Sequence, residues 1–204
     1  MANYVSAKPP AWASWTLARR QAAARALLAQ AGYGPGHPLR IEIKHRNTPD
    51  PTLIMPAIQA DWKTIGVVTS LVQNETQIAY DAYNSRDFQV ADAAWVADYD
   101  DPMSFLYLQQ STTGPQNYGD YKNPAYDHLL DLADNERDVG RRAAELSQAE
   151  HIMLEDAAVA PIFFHVNKNL VNPEVTGFVD NIVDWHRSRF LCFSDAAARR
   201  QGRR

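Results

Sequence analysis

The sequence predicts an α/β domain, a mixed sheet with flanking helices, and three stretches carry that prediction. Residues 39–44 alternate strictly between apolar and polar side chains, which is typical of a half-buried strand. Residues 51–65 repeat apolar side chains every three or four positions, as an amphipathic helix does, and the run 67–72 is rich in β-branched residues. A strand, a helix and a strand in this order imply at least some parallel pairing.

The composition is that of a folded domain with an acidic body. Hydrophobic residues make up 46% of the 204 residues, and no run reaches the roughly 18 apolar residues of a membrane span. The formal net charge is −4, but four of the 20 basic residues are arginines within 199–204, which leaves 16 against 24 acidic residues. We therefore expect no nucleic-acid partner and no transmembrane segment. The start, MANYVSAKPP, lacks a signal-peptide pattern, so the chain as given is expected in the cytoplasm.

Turn and capping residues predict the remaining elements of the first half. Residues 1–15, rich in Pro, Ala and Trp, predict an extended arm. Ser14 is expected to cap a helix that Gly32 ends. Residues 74–85 predict a short helix with two inward-facing apolar side chains, Ile78 and Tyr83.

The second half contains two more capped helices and an apolar end. Asn123 and Asp138 each precede a stretch with helical apolar spacing. Residues 162–166 are short and apolar enough for a covered strand, and residues 185–193 fit either a last strand or an extended arm. Cys192 is the single cysteine, and its apolar neighbours predict a buried core thiol.

Residues 88–106 carry the strongest functional signal. They begin as a strand, break after Trp95 into the acidic turn 98–101, and lead into a helix at Pro102. Ligands of open α/β sheets bind where strands end beside helix N-termini. Asp98 stands between Trp95 and Tyr99, the composition of a site that holds a cation against a carboxylate and aromatic faces. The alternative is that these aspartates only complement the helix dipole, which is the role expected of Asp101 as the helix cap.

Enzyme signals are weak. The sequence contains no GxSxG, P-loop, GxGxxG or HExxH motif, so we assign no catalytic residue, metal or cofactor. His151 and Glu155 have helical spacing but no third ligand, which favours an ion pair over a metal site. The rival hypothesis is a hydrolase that cleaves esters or amides. The residues that could take part are Asp98, Ser104, His151 and His165, and only the fold could bring them together as a triad. A further alternative is an inactive structural remnant.

Several segments resemble a known family in their order and spacing. Residues 95–106 are similar to the WxxDYxxPxxFL segment of the extracytoplasmic solute-binding proteins that serve oligopeptide and dipeptide ABC importers. Further segments are similar to other motifs of that family: 26–33 (AxxLLxEAGY), 62–67 (WkxiGV), 87–90 (DFD), 117–127 (NxxxYxnPeyD) and 160–164. The resemblance covers residues 12 to about 193.

The resemblance implies one lobe of a larger architecture. The matching residues correspond to the second lobe of a type II (cluster C) periplasmic binding protein, and the first lobe is not represented. The resemblance therefore places the lobe at residues 16–193, and residues 194–204 are expected to form a basic, flexible tail. It also implies a periplasmic location and an ABC transporter permease as partner. The absent lobe, or self-association in its place, is expected to contact residues 2–15 and the segment from Trp185 onward.

The resemblance also implies a ligand. Asp98 corresponds to the aspartate that pairs with the α-ammonium group of a bound peptide, with Trp95 and Tyr99 lining the site and Asp92 and Asn117 completing the predicted ligand-binding set. Asp92 stands where some members have a basic residue, so an amino-bearing small molecule other than a peptide remains an alternative. A site with one wall is expected to bind weakly, with a dissociation constant on the order of millimolar.

Overall fold

The computed structural model describes residues 4–181 and 183–195. Four one-turn 3-10 helices interrupt the loops, at Ala11–Ser14, Tyr107–Gln109, Gly114–Gln116 and Ser188–Phe190. The other elements follow in chain order: α1 (Leu17–Gln30), β1 (Arg40–Arg46), α2 (Pro49–Thr64), β2 (Val68–Asn74), α3 (Thr76–Asn84), β3 (Val90–Ala91), α4 (Met103–Leu106), α5 (Pro124–Asn135), α6 (Val139–Glu155), β4 (Val175–Thr176) and β5 (Cys192–Phe193).

The main sheet has the strand order β2-β1-β3 and is parallel throughout. Ile43 in the central strand β1 pairs with Leu71 on one side and Val90 on the other. The predicted α/β class with flanking helices is confirmed, and antiparallel pairing occurs in a separate ribbon of β4 and β5 and in an isolated bridge between Gly34 and His37. Strand β3 is only two residues long, so the predicted strand at Phe88 begins later than expected.

Helices α5 and α6 form a second layer with its own core. Tyr126, Leu130 and Leu146 are fully buried there, and α4 contributes Met103 and Leu106. The Tyr126 hydroxyl donates a hydrogen bond of 2.6 Å to the Leu106 carbonyl oxygen, which ties α5 to the end of α4. No helix among the described residues is long and apolar enough to cross a membrane.

The predicted helix caps can be compared with the observed ones. Asn123 accepts hydrogen bonds from the amides of Ala125 and Tyr126, and Asp138 accepts one from Arg141, so both predicted caps are confirmed. The cap of α1 is Thr16 and not Ser14, whose hydroxyl instead donates to the Ala11 carbonyl oxygen. Ser14 lies in the preceding 3-10 turn, and that turn moves the helix start two residues along the chain.

The start of the described chain lies along α6. The Tyr4 hydroxyl and the Ala7 amide both donate to Glu150 Oε2, at 2.7 Å and 2.6 Å. Tyr4 also packs against the core of α5 and α6. This part of the predicted arm is therefore attached to the domain, whereas Ala11–Ser14 is exposed.

Three burial predictions are wrong. Residues 162–166 form no strand and are exposed, with Phe164 at 96%, because no described strand lies beside them to pair with their backbone. Cys192 lies exposed in the ribbon and not in a core. Of the two α3 side chains predicted to face inward, Tyr83 is buried and Ile78 is exposed. Residues 196–204 of the predicted tail lie outside the described residues.

The core of α5 and α6 provides a test of stability. Leu130→Ala removes a side chain that is 1% exposed and is expected to lower the free energy of unfolding by about 2–5 kcal/mol, since it leaves a cavity. Leu132→Ala on the same helix is the control, because Leu132 is 42% exposed and its loss should cost less than about 1 kcal/mol. Urea denaturation followed by circular dichroism measures both, and equal losses would contradict this core.

Candidate functional site

The loop between β3 and α4, residues 92–102, begins at a buried carboxylate. Asp92 follows β3 directly, and its amide donates to the Lys44 carbonyl oxygen at 3.1 Å. Its Oδ1 accepts the Arg46 amide hydrogen at 2.8 Å and the Tyr83 hydroxyl at 3.0 Å, and its Oδ2 accepts Arg46 Nε at 2.9 Å and Nη2 at 2.5 Å. Asp92 thus joins β1, β3 and α3, and both of its oxygens are occupied inside the protein.

This network keeps the Tyr83 hydroxyl and the Arg46 guanidinium protonated. Burial and the neighbouring Asp92 raise the pKa of the Tyr83 hydroxyl well above its ordinary value, so Tyr83 stays a donor. Burial opposes the charge of Arg46, but the hydrogen bonds and charge of Asp92 outweigh it and raise the pKa of the guanidinium. Arg46 also donates to the Tyr80 hydroxyl at 3.2 Å and lies over that ring.

The other end of the loop is fixed to the helical layer. The predicted cap is one residue out of place, because α4 begins at Met103 and Pro102 occupies the cap position. Asp101 Oδ1 still accepts the Met103 amide hydrogen at 2.9 Å, from the residue before the cap. Arg142 on α6 binds both oxygens of Asp101, at 2.6 Å and 2.9 Å. Burial opposes the charge of Asp101, but Arg142 and the Met103 amide outweigh it and hold the pKa of this carboxyl below its ordinary value.

Between these anchors the carboxylate of Asp98 is exposed to solvent. The Asp98 amide donates to the hydroxyl oxygen of Ser104 at 2.8 Å, and Ser104 is fully buried. The Asp98 carboxylate itself forms no hydrogen bond or ion pair with the part of the chain that the structure describes. The loop therefore fixes the backbone of Asp98 and leaves its charge available.

Two tyrosines, Tyr99 and Tyr107, lie within reach of the charge of this carboxylate, and Trp95 contacts one of them. Trp95 meets Tyr107 edge to face, with ring centroids 6.2 Å apart. Burial and the charge of Asp98 raise the pKa of Tyr107, and burial, Asp101 and Asp98 are among the causes that raise the pKa of Tyr99. The structure thus brings together three predicted residues, Trp95, Asp98 and Tyr99. Tyr107 was not predicted, and its only sequence signal is an aromatic residue directly after the segment that resembles the family.

Asn117 lies elsewhere, inside a turn. It is 2% exposed, and its amide group donates to the carbonyl oxygens of Gln110 and Tyr121 and accepts the Tyr121 amide hydrogen at 3.0 Å. The turn carries Tyr118, whose ring contacts Tyr80 and Tyr83 beside the Asp92 network. The hydrogen bonds of Asn117 thus fix the turn that carries Tyr118.

The histidines proposed for a hydrolase lie apart from Ser104. Ser104 is buried and its hydroxyl oxygen accepts the Asp98 amide. His165 pairs with Asp50 at 3.2 Å on the surface, and His151 is exposed on α6. Within residues 4–181 and 183–195, no hydrogen bond joins Ser104 to a histidine, and no group of three His, Cys, Asp or Glu side chains could hold a metal ion.

Comparisons with known proteins agree on one family. The sequence profile of the bacterial extracellular solute-binding proteins, family 5 Middle, matches residues 1–117. The periplasmic murein peptide-binding protein MppA of Escherichia coli is 36% identical over 172 residues, which are 83% of this chain and 32% of that protein. This chain therefore spans about a third of the length of that curated relative.

Solved structures resemble the fold. The structure of the Escherichia coli murein tripeptide binding protein MppA gives a TM-score of 0.85 at 33% identity, over 94% of this chain and 38% of that chain. The crystal structure of Haemophilus influenzae OppA in complex with RPPGFSPFR gives a TM-score of 0.84 at 28% identity, over 92% of this chain and 37% of that chain.

The anchor between Asp101 and Arg142 predicts a pH-dependent stability. Asp101→Asn keeps an acceptor for the Met103 amide but removes the charge, so it should lower the free energy of unfolding at pH 7 by about 1–2 kcal/mol. Since the pKa of Asp101 is depressed in the folded state, this contribution is complete above its unfolded value of about 3.9 and is lost as pH falls through the folded value.

Urea denaturation of the wild type and Asp101→Asn at several pH values measures this contribution. The difference in unfolding free energy should be constant above about pH 5 and shrink below about pH 4. Asp61→Asn on the exposed face of α2 is the control for a change of net charge. A difference that persists unchanged at about pH 3 would contradict the role of the Arg142 ion pair.

Proposed function

Because this chain belongs to the bacterial extracellular solute-binding proteins of family 5, we propose that it is a ligand-binding module for short peptides or other amino-bearing solutes. The observation that carries the proposal is the carboxylate of Asp98, which is exposed among aromatic rings on a loop anchored at both ends. Relatives named for murein peptides and a relative crystallised with a nine-residue peptide support the peptide class.

The proposed contacts follow from the chemistry of an ammonium group. Asp98 accepts charge-assisted hydrogen bonds from the ammonium group, and the rings of Trp95 and Tyr99 cover its apolar surroundings. Asp92 and Asn117 act by holding the backbone in place, since the first fixes the start of the loop and the second fixes the turn that carries Tyr118. No chemical step is required of any of them.

The chain would form one wall of a cleft. The relatives that it matches are about three times as long and are named as periplasmic binding proteins. A protein of that length would work with an ABC import system in the periplasm. One wall leaves much of a ligand in water, so binding by this chain alone is weak, with a dissociation constant on the order of millimolar.

The exposed apolar side chains of residues 164–185, the C-terminal segment, supply a second contact surface. Phe164, Leu170 and Trp185 are largely exposed, and a monomeric soluble protein seldom exposes such residues together. In a protein of the relatives' length, the additional polypeptide would cover this segment. In isolation, a second copy of this chain takes its place.

Replacing the open carboxylate tests the binding site. Asp98→Asn should weaken the binding of trialanine about tenfold, because a neutral amide forms a weaker hydrogen bond with an ammonium group. Titrations followed by two-dimensional NMR of the ¹⁵N-labelled chain detect dissociation constants in the millimolar range, and the indole N–H signal of Trp95 reports locally. Asp61→Asn, which makes the same chemical change on the exposed face of α2, should leave binding unaltered. Equal binding by Asp98→Asn and the wild type would contradict the site.

Sedimentation velocity tests the apolar surface. The isolated chain should associate as its concentration rises from about 10 to about 200 µM, and Phe164→Ser together with Leu170→Ser should reduce the association. Leu53→Ser is the control, because it removes a leucine that is 78% exposed on α2, away from the C-terminal segment. A single monomeric species throughout this range would contradict the prediction.

A further inference from the structure

A row of tyrosine rings extends from the neighbourhood of Asp98 to the end of β1. Burial and the charge of Asp98 raise the pKa of the Tyr107 hydroxyl. Burial, Tyr80 and Tyr107 are among the causes that raise the pKa of the Tyr118 hydroxyl, so Tyr118 lies within electrostatic reach of both. The centroid of the Tyr118 ring is 5.7 Å from that of Tyr83 and 6.5 Å from that of Tyr80. This tyrosine row is therefore continuous with the candidate site.

Two rings of the tyrosine row are accessible to a ligand. Tyr83 is fully buried and donates its hydroxyl hydrogen to Asp92 at 3.0 Å, so it supports the other rings from inside. Tyr80 and Tyr118 are half-buried, and each presents part of its surface to solvent. Apolar ring surface that stays in water on a folded protein gains free energy when a ligand covers it.

The cation at the end of the row, Arg46, is already paired. Its guanidinium group lies 5.7 Å from the centre of the Tyr80 ring and donates to the Tyr80 hydroxyl at 3.2 Å. The same group binds Asp92 at 2.5 Å, and the two side chains are only 14% and 5% exposed. A ligand that recruited Arg46 would leave Asp92 buried without its counter-charge, which is strongly unfavourable. The row therefore offers a ligand aromatic rings and not a charge.

An ion pair between two turns holds Tyr118 in place. Arg86 lies in the turn after α3 and Asp120 in the turn before α5, and Nη2 of the first is 2.8 Å from Oδ1 of the second. Both residues have left-handed backbone conformations, with φ of 60° and 51°, which are strained in residues other than glycine and persist only where the surroundings fix them. Together with the hydrogen bonds of Asn117, this ion pair orders the turn before a ligand arrives.

We propose that Tyr80 and Tyr118 form a specificity subsite for an aromatic side chain of the ligand. The inference rests on the proposed function, because it names the side chain that the same module prefers. A further ring extends the row in the offset or edge-to-face arrangements that aromatic pairs adopt, and it removes ring surface from water. A charged side chain gains less, because the subsite provides no unpaired counter-charge. The ligand class is therefore a short peptide that contains phenylalanine, tyrosine or tryptophan.

Four tripeptides test the subsite. Trialanine is compared with the three peptides that carry one phenylalanine at the first, second or third position, because the distance from the ammonium group decides which of them reaches the rings. Each is titrated into the ¹⁵N-labelled full chain, and the shift of the Trp95 indole N–H signal, assigned by its loss in Trp95→Phe, gives the dissociation constants. At least one phenylalanine peptide should bind about threefold to tenfold more tightly than trialanine.

The readout for the variants is the ratio between the dissociation constants of trialanine and of the tightest phenylalanine peptide. This ratio should fall to about one in Tyr118→Leu and in Tyr80→Leu, which keep an apolar side chain but remove the ring. A variant that only loses stability weakens both peptides and keeps the ratio. Tyr33→Leu is the matched control, because it removes a half-buried tyrosine that stacks on His37 in the connection between α1 and β1, and it should keep the wild-type ratio.

The outcomes separate the inference from the proposed function. If trialanine binds but the wild-type ratio is about one, or if the wild-type ratio survives in both Tyr118→Leu and Tyr80→Leu, the inference is overturned and the proposed function stands. If none of the four peptides binds, both the inference and the proposed function are overturned.

Discussion

The buried carboxylate of Asp92 is the interaction on which the rest of the site depends. It joins the end of β1 through Arg46, the end of β3 through its own backbone and α3 through Tyr83. Because β3 is only two residues long, its backbone ladder is too short to place the following loop, and side-chain hydrogen bonds do so instead. Removing one partner of such a buried charged group lowers the free energy of unfolding by about 3–5 kcal/mol. The interactions that fix the position of the loop therefore also stabilise the edge of the sheet.

The loop also connects two layers that have separate cores. At its far end Asp101 binds Arg142 on α6, and the next residues bury Met103 and Leu106 in the core of α5 and α6. The same segment is therefore both a ligand surface and part of a hydrophobic core. A change that loosens either layer is expected to shift Asp98, because both the chain and the hydrogen bond to Ser104 connect Asp98 to these layers.

Sequence patterns predicted the elements that depend on interactions between residues close together in the chain. The alternation of residues 39–44 and the caps Asn123 and Asp138 identified a strand and two helices, because strand periodicity and capping hydrogen bonds involve neighbours in the chain. The exposed segment 162–166 and Cys192 were mispredicted, because an apolar run indicates a need for cover but not which polypeptide supplies it. The partner of Asp92 lies 46 residues away, so its sequence neighbourhood could not separate a ligand contact from an internal ion pair. The motif around Trp95 located the loop, while the availability of Asp98 and the pairing of the arginines became visible only in three dimensions.

The hydrogen bond from the Asp98 amide to the buried hydroxyl of Ser104 has a consequence for the energetics of binding. It holds the loop backbone when the protein folds, so the backbone entropy of this segment, about 1–2 kcal/mol per ordered residue, is lost before any ligand arrives. Ligands then need to order only the rotamers of the Asp98 side chain. A shallow surface with little area to bury can in this way retain a measurable preference for one charged group over another.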